Sequence, residues 1–185
     1  MENKTEILKL LNHPKDVVIF SHRNPDGDAL GSSLAMLHYL TSMHHSVKII
    51  FPSEFPLNFS WMPGCENVII YDMDPQACKE AIHRAGLIFC LDFSSLDRID
   101  KMSEFVIEQT CPKIIIDHHL DPEPFADFII SDTSASSTCE MIFDFISELH
   151  GKNAITKTIA SCIYTGIVTD TGSFQYSTSS SFFRK

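Results

Sequence analysis

His22, Asp26 and Asp28 put one imidazole and two carboxylates within seven residues, in the run Ser21-His22-Arg23-Asn24-Pro25-Asp26-Gly27-Asp28-Ala29-Leu30-Gly31. Pro25 stiffens the approach, and Gly27 relaxes the backbone between the two aspartates. Ligand groups this close repel one another unless a cation sits among them. Mixed imidazole and carboxylate donors suit manganese, iron or zinc better than calcium. The competing reading is a plain turn, because Asp-Gly pairs are common turn formers and His22 would merely finish a strand. Three more sites carry the same chemistry: Asp92, the run Asp117-His118-His119, and Asp170.

The elements that must position these groups follow from hydrophobic periodicity. Lys4 to Leu11 has helical spacing and ends before Pro14. Asp16 to Phe20 is a strand. A helix from about Ala29 to Met43 carries Leu30, Leu34, Leu37 and the pair Met36/Leu40 on one side. Ser46 to Phe51 is the next strand. Pro52 to Pro63, rich in aromatics and prolines, predicts an irregular segment with Trp61 packed beneath it. Val68 to Tyr71 predicts a third strand. Asp74-Pro75 opens a helix to about Arg84, with Asp as cap and Pro in the first turn. Leu87 to Leu91 is apolar throughout, as a strand buried on both faces must be. A helix from Ser95 to about Gln109, a strand Lys113 to Ile116 and a strand Phe125 to Ile130 follow. Ser134 to Thr138 begin a helix that reaches Leu149, with capping as the simplest role for Ser136, Ser137 and Thr138. A last helix, Ala154 to Thr169, ends at Asp170, and Phe174 and Tyr176 suggest a short final strand. Alternating strands and helices predict an α/β fold with a mainly parallel sheet flanked by helices.

In such a sheet the first, fourth and fifth strands end at His22/Asp26/Asp28, at Asp92, and at Asp117/His118/His119. All three loops then lie on one carboxyl edge, where open α/β sheets bind ligands. Asp170 closes a helix that can return to the same edge. One aspartate after a strand is usually a cap; four such sites converging on one edge argue for a metal centre.

The composition narrows the partners. Of 185 residues, 24 are acidic and 14 are Lys or Arg, for a net charge of −10. That excludes a broad basic surface for long duplex nucleic acid, but not small phosphorylated substrates, because bound cations reverse the local field. Six scattered cysteines without a Cys-x-x-Cys pair suit reduced core positions. With no apolar run long enough to span a membrane and no leader pattern at Met1 to Leu11, the expected location is cytoplasmic.

The four motifs, His22-x3-Asp26-x-Asp28, Asp92, Asp117-His118-His119 and Asp170, stand in the order found in the DHH phosphoesterase superfamily, which the chain resembles over nearly its whole length. The wording around the first motif, and the run Ser-Ala-Ser-Ser-Thr-x-Glu at 134–140, are most similar to the nanoRNase branch, a RecJ-like group of oligoribonucleases and pAp phosphatases. The resemblance implies a Rossmann-like catalytic domain, a manganese-dependent phosphohydrolase, and two divalent cations, most often manganese. One would be held by His22, Asp26 and Asp92, the other by Asp28, Asp92, His118 and Asp170, with Asp92 bridging. Water activated between the cations would attack the phosphoester in line. Asp117 would orient a ligand histidine through a hydrogen bond. His119 would meet the scissile phosphate. Arg98 would reach a phosphate or pair with an acid.

Expected substrates are short single-stranded oligonucleotides or 3′-phosphoadenosine 5′-phosphate (pAp). The alternatives are cyclic dinucleotides, polyphosphate or pyrophosphate, or a non-catalytic metal- or nucleotide-binding module. A homodimer is compatible with this reading. Residues 1–176 would form the catalytic domain, and 177–185 the start of a linker to a C-terminal substrate-binding domain that this chain lacks.

Overall fold

The structure is a computed structural model that describes residues 2–176 and 178. Its strands are β1 (Asp16–Phe20), β2 (Ser46–Phe51), β3 (Val68–Ile70), β4 (Leu87–Leu91), β5 (Lys113–Asp117) and β6 (Phe128–Ser131). Its α-helices are α1 (Lys4–Leu11), α2 (Gly27–Ser42), α3 (Pro75–Arg84), α4 (Met102–Glu108), α5 (Thr138–His150) and α6 (Lys157–Asp170). The strands form one sheet in the order β3-β2-β1-β4-β5-β6, every pair parallel. The order reverses between β1 and β4, and at such a switch point the loops leave in opposite directions and open a crevice.

Alternation along the strands builds two cores. Val17, Ile19, Leu87, Phe89, Leu91, Ile114 and Ile116 face α1, α2, α5 and α6. Val18, Phe20, Ile88, Cys90 and Ile115 face α3 and α4. Both faces of β4 and β5 are therefore covered, which is why these strands are apolar runs rather than alternating ones. All six cysteines are free, four of them buried. Among the described residues, no helix is long and apolar enough to cross a membrane.

Several expectations need correction. The helix expected over Ser95 to Gln109 is two pieces, a 3-10 turn Leu96–Ile99 and then α4, separated at Asp100, whose φ is 49°. Trp61 is 64% exposed rather than packed beneath its loop. The final strand at Phe174 and Tyr176 does not form: Gln175 and Tyr176 N–H groups both donate to Thr171 O, and Ser173 and Phe174 have φ of 61° and 67°. The last helix begins three residues later than Ala154, at Lys157, behind a Thr156 cap and a 3-10 turn. The stretch read as a linker, 177–185, lies outside the described residues except for Thr178.

The closest helix packing in the fold brings α2 onto α6. A Cβ on Gly31 would sit 2.7 Å from the Cys162 carbonyl oxygen, and one on Gly166 would sit 3.1 Å from the Asp28 Cα. Backbone cannot yield as a flexible side chain can, so Gly31 sets the helix separation. Gly31→Ala is expected to lower the unfolding free energy by about 1–3 kcal/mol in urea titration. Gly86→Ala, whose Cβ would meet nothing closer than 3.6 Å, is the control and should stay within about 0.5 kcal/mol.

Candidate active site

Each motif reaches the crevice by a different local device. After β1 the chain turns through Asn24, at φ 54°, into the Asp26 cap of α2. Asp26 Oδ1 accepts from the N–H groups of Asp28 and Ala29 at 2.9 and 3.0 Å. The helix therefore starts two residues before Ala29, and Asp28 sits in its first turn with its side chain turned into the protein. Asp92 follows β4 at φ 64°, a left-handed geometry that Asp tolerates. Asp117 ends β5, and Asp170 ends α6.

The structure brings seven of the sequence-predicted residues into overlapping clusters. His22, Asp26 and Asp92 form one; Asp28, His118 and Asp170 a second; Asp92, His118 and His119 a third. Within each, the donor atoms lie within 4.8 Å of one another. Asp92, 2% exposed, faces both sides: Oδ2 is 3.4 Å from His22 Nε2, and Oδ1 is 3.8 Å from His118 Nε2. His118 Nε2 is also 3.8 Å from Asp170 Oδ2.

The histidines divide by their other ring nitrogen. His22 Nδ1 meets the Arg23 carbonyl at 2.9 Å, and His118 Nδ1 meets the Ala135 carbonyl at 3.4 Å. A carbonyl only accepts, so Nδ1 donates to it and Nε2 is the nitrogen turned to the carboxylates. That is the usual arrangement of a metal-binding imidazole. The clusters thus have the donor chemistry of a divalent-cation site, with Asp92 common to the first and third. His119 differs. Its Nδ1 lies 2.7 Å from Asp117 Oδ1, its backbone N–H donates to Asp117 Oδ2, and its side chain is half-exposed. Asp117 is fully buried and orients His119, not His118. Arg98 is exposed; its carbonyl accepts from Arg23 N–H at 2.9 Å, and its charge bears on His119.

The electrostatics follow from crowded carboxylates. Burial, and then the charge of Asp92, push the Asp28 carboxyl well above the usual range, although the Cys139 hydrogen bonds oppose this. Burial raises Asp170 as well; His118 works against the shift and Asp92 with it. Burial acts against a charged His22, but the Asp92 hydrogen bond and the Arg23 carbonyl hold its pKa above normal. The Asp117 hydrogen bond raises His119.

Two contacts lay beyond sequence reasoning because they join distant segments. The N–H groups of Thr138 and Cys139, at the start of α5, donate to Asp28 Oδ2 and Oδ1 at 2.6 and 2.9 Å. Arg23 binds Asp72 through Nη1 and Nη2 at 2.8 and 3.1 Å and pairs with Asp100 through Nε. The serine-rich run was a visible signal for the first of these; nothing in the sequence marked the second.

Residues 16–167 match the DHH family, N-terminal domain. The chain belongs to the DHH family. It is 32% identical over 181 residues to the bifunctional oligoribonuclease and PAP phosphatase NrnA of Bacillus subtilis (strain 168), covering 94% of this chain and 51% of that protein. This places the DHH chain in the nanoRNase-type branch; it spans about half the length of that relative. An exopolyphosphatase-related protein from Bacteroides fragilis superposes with a TM-score of 0.95 at 41% identity, over 98% of this chain and 54% of that one. Exonuclease RecJ, in a structure bound to manganese, shares the fold with a TM-score of 0.56 at 14% identity, over 90% of this chain and 42% of that one.

The raised groups set how the metal-free DHH domain responds to pH. Asp28, Asp170, His22 and His119 all hold protons more tightly folded than unfolded. Each contributes stability below its unfolded pKa and loses it as pH rises through the folded value. In EDTA the melting temperature should therefore fall from about pH 5 to about pH 8, while saturating manganese should flatten or reverse the slope. Asp170→Asn should melt higher than the parent in EDTA at pH 8 and gain less from manganese. Scanning fluorimetry at several pH values reads both.

Proposed function

We propose that this chain is the catalytic half of a manganese-dependent phosphoesterase that hydrolyses short 5′-phosphorylated oligonucleotides, pAp, or both. The observation that carries the reading is the set of overlapping ligand clusters sharing Asp92 and His118 at the switch point of the sheet. His22, Asp26 and Asp92 would hold one divalent cation, and Asp28, Asp92, His118 and Asp170 the other. Such a pair supplies Lewis acidity at the phosphoryl oxygens and a water acidic enough to attack near neutral pH.

The chain's own groups do the rest. Asp92 carries the negative charge that offsets repulsion between two dications. Asp117 occupies His119 Nδ1, so His119 offers its other nitrogen to the open side of the crevice. A histidine with a raised pKa donates a hydrogen bond there, to an oxygen that gains charge as the phosphoester breaks. Arg98, exposed beside it, supports the same anion by charge. An acidic surface matches a substrate small enough to be gripped at its phosphate, not a long duplex. A further domain of the parent protein, joined through 177–185, would supply the rest of the grip, so the isolated domain should turn over slowly. The likeness to an exopolyphosphatase-related structure makes polyphosphate the second substrate to test.

The assay is release of mononucleotide from a 5′-phosphorylated RNA dinucleotide, with pAp and polyphosphate in parallel, with and without manganese. Turnover on the dinucleotide or pAp that requires manganese and vanishes in Asp92→Ala is the expected result. His119→Ala should retain manganese binding but lose about 10²–10³ in kcat. Hydrolysis of polyphosphate alone would replace the substrate assignment, and absence of both turnover and metal binding would sink the catalytic reading.

A further inference from the structure

The start of α5 holds a contact that helix capping does not explain. The Thr138 hydroxyl takes no part in the cap: Ser137 Oγ accepts from Glu140 N–H at 3.1 Å, and the Glu140 carboxylate accepts from Ser136 N–H, one residue before the cap, at 2.7 Å. Thr138, fully buried, points its hydroxyl away from the cap and donates to Asp92 Oδ1 at 2.9 Å. Its backbone N–H donates to Asp28 Oδ2 at 2.6 Å. One residue thus grips two carboxylates delivered by different loops.

We propose that Thr138 is a positioning residue for the cation pair, whose hydroxyl fixes the rotation of the Asp92 carboxylate while its amide fixes Asp28. The inference rests on the two-cation reading of the site. Asp92 bridges only if its two oxygens point to different donor sets. Oδ2 faces His22 and Oδ1 faces His118, and the hydroxyl bond to Oδ1 holds that division. A carboxylate oxygen has lone pairs to spare, so one hydrogen bond leaves room for a cation. Without the hydroxyl, the carboxylate keeps only its histidine neighbours to set its rotation, and the cation pair must pay to order it. Residues that orient metal ligands in this way typically contribute 10–100-fold to affinity.

The test is calorimetric titration of metal-stripped protein with manganese chloride. Thr138→Val keeps the shape and removes the donor; Thr138→Ser keeps the donor. Ile142→Val, in the buried face of the same helix, is the control for a plain packing defect. Manganese affinity should fall about 10–100-fold in Thr138→Val and stay within about threefold of the parent in Thr138→Ser and Ile142→Val. Should Thr138→Val not fold, Thr138→Ala takes its place in the same titration. Unchanged affinity in the variant without the hydroxyl overturns the proposal, as does an equal loss in Thr138→Ser. If the parent protein itself takes up no manganese, the two-cation reading fails and the proposal falls with it, a result distinct from either variant outcome.

Discussion

A carboxylate buried among helices organises this domain. Asp28 lies in the first turn of α2, 1% exposed, with both oxygens bound by backbone N–H groups of α5. Taking a carboxylate out of water costs several kcal/mol even after relaxation. Two charge-assisted hydrogen bonds return about 1.5–3 kcal/mol each, and the positive end of a helix returns up to about 2 kcal/mol more. These terms are of similar size, so the neighbours decide. Asp92 adds repulsion, and the Asp28 carboxyl stays well above its ordinary pKa. The metal-free protein thus keeps an unmet demand for positive charge. The helix layer is built around that demand: α6 approaches so closely that a side chain on Gly166 would lie 2.9 Å from Asp28 Oδ1.

The sheet supplies the opposite half of the crevice. Because β1 and β4 are adjacent and parallel, with Phe20 beside Cys90, the loops that follow them begin at the same height. His22 and Asp92 therefore meet although they are far apart in the chain. β5 lies next, with Leu91 beside Ile116, which brings Asp117, His118 and His119 to the same level. Arg23 then ties the loops outside the crevice, binding Asp72 after β3 and Asp100 before α4, while its N–H holds the Arg98 carbonyl. A rigid frame of strand ends and a charge-laced rim leave little freedom for the side chains that line the crevice.

The strand ends were legible in the sequence because buried parallel strands are short apolar runs, and the residue after each run must lie on the carboxyl edge. That reasoning brought His22, Asp26, Asp28, Asp92, Asp117, His118 and His119 to one edge, with Asp170 added from a helix end; the choice of ligands among them came from the family resemblance, and the structure places all of these but Asp117 in its clusters. Contacts between distant segments were not legible. Thr138 looked like a cap residue because capping is local, whereas its bonds to Asp28 and Asp92 depend on how α5 lies across α2 and β4. The split of the helix after Asp92 was hidden for a different reason. Met102 and Val106 continue the apolar spacing, but Asp100 adopts a positive φ that ordinary helical periodicity does not reveal. Trp61 misled because a large aromatic in a proline-rich loop is usually buried, and here the loop packs through Met62 instead.

The adjacent histidines show how one strand end can serve two tasks. His118 and His119 leave β5 with their rings edge to face, 4.6 Å between centroids. His118 turns Nδ1 to a backbone carbonyl, which fixes its tautomer without adding charge. His119 turns Nδ1 to the buried Asp117 carboxylate, which favours the protonated ring and raises its pKa. A neutral imidazole donates a lone pair; an imidazolium donates hydrogen bonds. The choice of partner for one nitrogen thus separates the two rings: His118 presents Nε2 to Asp92 and Asp170, while Asp117 holds the half-exposed His119, so the order of the two residues is set by the buried acid that precedes them.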